Sequence, residues 1–560
     1  MDRIWLKRYP VGVPADIDVD RYASIAALFD ETCQRHRDRP AFTNMGTTLS
    51  YARLDALSRS FAAWLQHESG LAPGDRIALM MPNILQYPVA LFGALRAGMV
   101  VVNTNPLYTA RELEHQLGDS GAEAIVVLEN FAHVLAQVLP KIPLQRVLVT
   151  GIGDLLGLPR GPIVNFALRH VRKQVPPWRI PAAIRFNTAL EAGRKLTLDA
   201  VDIRPTDPAF LQYTGGTTGI AKGAILSHRN IVANLLQAGE WIRPTVSSLP
   251  ATSVPIVITA LPLYHIFSLT ANCFMFTHLG AHNILITNPR DFHGFVATLR
   301  KYPFFFISGV NTLFNALLHT PGFAELDFSS LRISLGGGMA VQAVVAARWK
   351  EVTGCILTQA WGLTETSPAA CINPVDLDFN GSIGLPISST EISIRNDEGG
   401  ELGIGEVGEI CVRGPQVTSG YWHRPDETAR IFFRDWLRTG DIGHIDAQGF
   451  VYIEDRKKDM ILVSGFNVYP NEVESVAAEF PGVLEVAAVA APDEDSGESV
   501  ALFVVKKDPA LDAQALLAYC RRNLTGYKVP KHIYFREELP KTNVGKILRR
   551  ELRDELRSQA

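Results

Sequence analysis

The chain is poor in cysteine and has none at close spacing. Cys33, Cys273, Cys355, Cys371, Cys411 and Cys520 are scattered over 560 residues without a CxxC pair. That excludes the usual zinc motifs and a disulfide framework, and it fits a reducing, cytoplasmic compartment. Excess charge is lacking too: 54 basic and 57 acidic side chains leave −3, so no global field argues for nucleic acid as a partner. The opening MDRIWLKRYPVGVPADID has no apolar run and no small-residue cleavage site, and a secretory signal is not expected. Between Pro244 and Pro289 there is no Asp, Glu, Lys or Arg. A spanning helix needs about 20 consecutive, mostly apolar residues. Here Pro250, Pro255, Pro262, Asn272, Gly280 and Asn283 interrupt the run, which reads as buried strands and a helix.

What is present is a chain long enough for two to four structural units. Up to about residue 150, helical periods (LSYARLDALSRSFAAWLQ, ILQYPVALFGALRAG) alternate with short apolar runs (DRIALMMPN, MVVVNTN, AEAIVVLE). That alternation predicts βαβ units and a mostly parallel sheet. The pattern resumes at DPAFLQYTGG and continues to about residue 375. Residues 382–455 are short strands joined by Gly/Asp turns, a small β-barrel-like unit. The charged cluster DRKKD (455–459) follows, and the last 100 residues alternate strands and helices as a small α+β domain would. The expected architecture is α/β. A large N-terminal domain of helix-flanked sheets (1–455) includes the β-rich part, 456–458 is a hinge, and 459–560 is a mobile C-terminal domain. Residues 151–199 stand apart: Arg160, Arg169, Arg172, Lys173, Arg179 and Arg185 are interleaved with apolar side chains and Trp178, with no acid in GLPRGPIVNFALRHVRKQVPPWRIPAAIRF. Such a segment suits either an anionic membrane surface or a solvated basic face between domains.

The densest chemical signal is YTGGTTGIAKGAILSH, Tyr213 to His228. A Walker A loop requires GxxxxGK[ST], and here Lys222 is followed by Gly223, so the P-loop motif is absent. The chemistry nonetheless suits phosphate. Gly215, Gly216 and Gly219 let backbone N–H groups converge on an anion; Thr214, Thr217 and Thr218 add hydroxyl donors and Lys222 a charge. Gly403-Ile-Gly405-Glu-Val-Gly408 matches GxGxxG, but a dinucleotide fingerprint follows a strand and opens a helix. This one precedes the strand-like GEICVRG and is expected to be a hairpin turn.

Further segments complete a set: ISLGGGMAVQ with Gly336–Gly338, WGLTETSP from Trp361 to Pro368, TGDIG with Asp441, DRKKDMILVSGFNVYPNEVE, and PKTNVGKILRREL with Lys546. In order and spacing the set resembles the adenylate-forming (AMP-binding) superfamily of acyl-CoA synthetases, adenylation domains and luciferases. Within it the set is most similar to the bacterial long-chain fatty acyl-CoA synthetases, over about residues 20 to 555.

The resemblance implies two half-reactions. A carboxylate attacks the α-phosphorus of ATP, giving acyl-AMP and pyrophosphate, and coenzyme A then takes the acyl group as a thioester, releasing AMP. It also implies roles. The loop from Tyr213 to Gly223 would cradle the β,γ-phosphates, with Thr364 bonding phosphate and Glu365 holding Mg²⁺. Gly337, Gly338 and Trp361 would form the adenine slot, with Trp361 where most relatives carry Tyr. Asp441 would accept the ribose hydroxyls and Arg456 would contact ribose or phosphate. Lys546 would bridge the carboxylate and the α-phosphate, Lys458 would be the hinge, Gly465 would border the pantetheine arm, and His265 in LPLYHIF would gate the acyl pocket. FMF (274–276) and FFF (304–306) could line an apolar tunnel. Expected partners are fatty acid, ATP and coenzyme A, a homodimer, and peripheral contact with the inner face of the cell membrane through 160–185, with no nucleic acid. Two alternatives stand beside this reading: delivery of the acyl group to a carrier protein or another acceptor, and a non-catalytic lipid-binding protein with a vestigial nucleotide site.

Overall fold

The computed structural model describes residues 3–214, 221–250, 252–464, 466–493 and 496–559. Two large sheets carry most of the chain. The first has seven strands, in the order Ile184–Arg185, Arg146–Thr150, Ala124–Leu128, Arg76–Met80, Val100–Asn103, Pro208–Thr214 and Lys222–Ser227. All neighbours are parallel except the last pair. The second has nine strands, and its centre (Leu357–Gly362, Ile333–Gly336, Phe306–Gly309, Ile256–Thr259, His282–Leu285) is parallel throughout. Parallel strands are covered on both faces by their crossover helices, which is why AIVVL and VVVN read as continuous apolar runs.

The helix Gln86–Arg96 is buried at every position, as a sequence apolar on all sides requires. Arg96 is tolerated there because Asp30 and Asp55 both pair with it, which keeps the buried cation from being isolated. The helix His228–Ser247 begins at a capping box between Ser227 and Asn230. Its buried Asn234 and Gln237 donate to the carbonyls of Ala369 and Ser388, tying the helix to the far end of the nine-stranded sheet.

The uncharged stretch folds as expected into core elements: the strands Ile256–Thr259 and His282–Leu285 with a helical segment from Ile266 to His278 between them. Among the described residues no helix is long and apolar enough to cross a membrane. Strands Glu391–Arg395, Gly408–Arg413, Phe432–Phe433, Trp436–Ile445 and Val451–Arg456 form a small antiparallel sheet, and GxGxxG lies in the turn between its first two strands, with Gly405 at φ 80°. The C-terminal part builds its own five-stranded sheet. Helices Pro470–Ala478 and Ala513–Asn523 enclose one apolar cluster against it, and Leu552 and Leu556 of helix Arg549–Gln559 belong to a second.

Candidate active site

In open α/β sheets ligands bind beyond the carboxyl ends of the strands. Here the carboxyl ends of both large sheets open onto one cavity of about 700 Å³, within the size range of small-molecule sites. Gln212–Thr214, Leu261 with Tyr264 and His265, Val310, Gly337–Gly338 and Trp361–Glu365 all line it, each just at or past the end of a strand. Arg456, Lys458 and the segment from Lys541 to Lys546 close it from the C-terminal side.

At one end, behind the lining residues Trp361, Thr439 and Arg456, Asp441 is almost fully buried, does not itself line the cavity, and has both its oxygens engaged. Register places Asp441 directly opposite Arg456 across two antiparallel strands, and Arg456 Nε lies 3.0 Å from Oδ1. The Trp361 indole N–H donates to Oδ2 at 2.9 Å. The changed polar handle of Trp361 therefore has a definite use: it orients the carboxylate. Gly337 leaves room nearby, since a Cβ there would sit 3.0 Å from the Ala360 carbonyl oxygen and 3.2 Å from the Phe267 ring.

At the adjoining polar end, Tyr213 and Thr214 face Gly223 and Lys222 across the hairpin. The expected cradle residues Gly215, Gly216, Thr217, Thr218 and Gly219 lie outside the described residues, as does Gly465. The flanks are held firmly. Tyr213 donates its hydroxyl to Asp119 at 2.7 Å, Asp119 also pairs with Arg424, and Lys222 pairs with Glu427 and lies over the Tyr421 ring. Tyr421 donates to Glu365 Oε1 at 2.5 Å; burial and that carboxylate push the phenol well above its usual range. The other Glu365 oxygen has no partner among the described residues. No cluster of three metal-binding side chains occurs among them. A divalent ion would therefore take one carboxylate here and complete its shell from phosphate and water, the manner Mg²⁺ favours. Tyr421, Arg424 and Glu427 were not legible in the sequence, because GYWHRPDET resembles any polar turn before a helix, and Asp119 was not, because the Tyr213 it holds is far along the chain.

Lys546 enters the cavity beside Arg456, Lys458 and Arg549. Repulsion by Arg456, then burial, lowers its ammonium to about 7, with Asp441 opposing the shift. Burial first, then Arg456, lowers Lys458 to about 8. Arg549 is matched by Asp455 and Glu474, which leaves Arg456, Lys458 and Lys546 near Asp441 as an excess of positive charge, complementary to a polyanion. His265 caps the next helical turn, its Nδ1 accepting from the Phe267 N–H at 3.3 Å. Burial first, then Lys546, lowers it to about 4, so near pH 7 it is a neutral imidazole carrying its proton on Nε2.

Much of the remaining lining is apolar, with Ala238, Ile242, Leu261, Met275, Phe306 and Ile333 among it, although Asn103, Asn105, Glu112, Asn234 and Thr270 also line the cavity. Of the two phenylalanine-rich triplets, only Met275 and Phe306 reach it. Phe274, Phe276, Phe304 and Phe305 are packed in the core.

A nucleotide-sized polar end joined to an apolar arm defines a class: enzymes that activate an acid on a nucleotide. The family model described as AMP-binding enzyme matches residues 29–422, and that of the AMP-binding enzyme C-terminal domain matches 472–546; the chain belongs to this family. It is 57% identical to the long-chain-fatty-acid–CoA ligase of Salmonella typhimurium strain LT2 and 56% identical to that of Escherichia coli O157:H7. Each match covers 100% of this chain and 99% of the relative. Among solved structures, ATP-bound MatB from Rhodopseudomonas palustris superposes with a TM-score of 0.81 at 28% identity, covering 95% of this chain and 98% of that one.

Proposed function

We propose that this chain is an ATP-dependent long-chain-fatty-acid–CoA ligase working through an acyl-AMP intermediate. One observation carries the reading: a single cavity joins a cationic end at Arg456, Lys458 and Lys546 to an apolar arm, with Lys546 at the polar end where a carboxylate would meet a phosphate. Full-length likeness to fatty acid ligases supports the choice of acid and of coenzyme A.

In the first half-reaction an anion approaches a polyanion, and oriented positive charge must offset the repulsion. Lys546 and Arg456 supply it at the reacting phosphorus, and Lys222, once exchanged from Glu427, supplies it at the leaving pyrophosphate. Asp441, oriented by Trp361, takes the ribose. Thr364 would bond phosphate and Glu365 would help hold Mg²⁺, which would supply charge neutralisation there. Neutral His265 can donate from Nε2 at the mouth of the acyl arm. Lys458 serves as the hinge about which the C-terminal domain exchanges Lys546 for the Gly465 face when coenzyme A reacts. A homodimer completes the reading, and sedimentation velocity tests it. The activity test is coenzyme A-dependent AMP release with palmitate and ATP. No release with any fatty acid would sink the reading, and AMP release without thioester would favour another acyl acceptor.

A second observation supports peripheral membrane contact. Leu158 (88% exposed), Ile163, Phe166 and Val171 stand in solvent around the helical segment from Arg160 to Val171, with exposed Arg160, Arg172, Lys173 and Arg179 beside them. Apolar wedges flanked by cations suit an anionic bilayer surface. Ile163→Glu with Phe166→Glu should abolish sedimentation with phosphatidylglycerol vesicles while activity on soluble short acids persists. Unchanged sedimentation would return the segment to a solvated basic face.

A further inference from the structure

Lys546 acts at a site built mostly by the other part of the chain, so something must hold it there. Its own loop is stiff. Thr542 N–H donates to the Lys546 carbonyl at 2.7 Å, Gly545 N–H to the Thr542 carbonyl at 2.9 Å, and Leu548 N–H to the Pro540 carbonyl at 2.8 Å; Lys546 N–H also donates to Thr542 Oγ1. Lys541 pairs with Glu485 at 2.7 Å, which fastens the loop to the start of the strand Val483–Asp493. Loop and strand thus move as one body.

That body meets a single face of the helix Asn311–Leu318. Thr312 Oγ1 donates to the Gly545 carbonyl at 2.8 Å, one peptide from Lys546. One turn on, Asn315 Nδ2 donates to the Leu484 carbonyl at 3.0 Å. Positions i and i+3 share a helix face, so both donors point the same way. Each acceptor is shaped for its role. Gly545 has φ 85°, and a Cβ there would lie 2.9 Å from Thr312 Oγ1 and 3.1 Å from Val310 Cγ2, so only glycine allows so close an approach. Leu484 sits where the ladder slips between Val483 and Glu485. The extra residue of a bulge leaves the ladder, which frees its carbonyl for an outside donor.

We propose that Thr312 and Asn315 form a two-point catch that holds Lys546 in the site for acyl-AMP formation and lets go for the thioester step. They are positioning residues, and neither lines the cavity. The catch is deliberately modest. Both bonds are only part-buried, and a neutral hydrogen bond of that kind shifts an equilibrium by roughly two- to tenfold, enough to bias a domain that must later swing away and too little to trap it.

The inference rests on the two-step ligase reading, and the experiment separates the two. In full-length protein, Thr312→Val, Asn315→Leu and the double variant are compared in two single-turnover assays: pyrophosphate release from ATP plus palmitate, and thioester formation from synthetic palmitoyl-AMP plus coenzyme A. The first rate should fall by roughly two- to tenfold per substitution and the second should hold or rise, with Thr312→Ser restoring the first. An equal fall in both, or no change in either, would overturn the catch. A second readout needs no turnover. The six native cysteines are all buried, so Val344→Cys with Lys507→Cys offers two exposed labelling sites. Energy transfer between dyes there should show the docked fraction falling in the catch variants; an unchanged distribution would overturn the catch even in a protein that ligates nothing.

Discussion

The two ends of the cavity obey different rules. At the polar end each group is individually specified: Asp441 is held by one indole and one guanidinium, Glu365 by one phenol, Lys222 by one carboxylate. At the apolar end Ala238, Ile242, Leu261, Met275, Phe306 and Ile333 share one surface, and no single one has a contact the others could not replace. Directional interactions reward one geometry, whereas the hydrophobic effect rewards area. Substitutions at the polar end should therefore act as switches, and those at the apolar end as a ruler.

The largest effect should come from Lys546→Ala. Loss of a preorganised charge at the reacting atoms costs about 10²–10³ in rate. Pyrophosphate release from ATP should fall by that factor, while preformed acyl-AMP plus coenzyme A reacts as before. An equal loss in both halves would mean that Lys546 is not confined to the first step. Next is Ala238→Phe, which fills the arm. Each methylene kept out of it forfeits about 0.8 kcal/mol, or roughly fourfold, so kcat/KM for palmitate should drop by about two orders of magnitude while hexanoate is unaffected. A uniform drop across chain lengths would show that the arm does not hold the acyl chain.

Trp361→Phe keeps a stacking face and deletes the N–H that orients Asp441. A hydrogen bond to a charged group is worth about 1.5–3 kcal/mol, so KM for ATP should rise at least about tenfold with KM for the fatty acid unchanged. On the proposed reading, in which Asp441 takes the ribose, the discrimination between ATP and 2′-deoxy-ATP should also shrink. Unchanged discrimination would reduce Trp361 to a wall of the adenine slot.

This contrast also explains what the sequence could reveal. Apolar runs alternating with helical periods were enough to expect βαβ units and mostly parallel strands, because the alternation with helices, rather than a run such as AIVVL alone, separates a buried strand from a buried helix. Taken singly, Lys546, Asp441 and Glu365 look like ordinary surface or turn residues; they were legible only because their motifs occur together, in an order and spacing that resemble one family. The indole bond from Trp361 was not, since it depends on two strands from different sheets meeting. Tyr421 and Asp119 were invisible for the same reason, lying far along the chain from the residues they hold. Of the two phenylalanine-rich triplets only Met275 and Phe306 reach the cavity, because both segments are packed on several sides and an apolar run does not say which side is hollow.

The smallest effect is the subtlest test of the polar end. In the free protein Lys546 is lowered to about 7, chiefly by the Arg456 charge beside it, so at pH 8 most molecules carry it neutral. An incoming phosphate and carboxylate favour the ammonium and raise its pKa back toward the ordinary lysine value. Binding at pH 8 must then take up a proton, up to about one per site, whereas at pH 6 the lysine is already charged and uptake vanishes. Calorimetry of a non-hydrolysable ATP analogue in buffers of differing ionisation enthalpy reads that number directly. Lys546→Met should remove most of the uptake at pH 8, leaving the smaller share of Lys458, which is lowered only to about 8. Arg456→Gln should also reduce the uptake, because without the neighbouring cation Lys546 is already protonated before the ligand arrives. Uptake that survives Lys546→Met undiminished would assign the titrating group elsewhere, with Lys458 as the next group to vary.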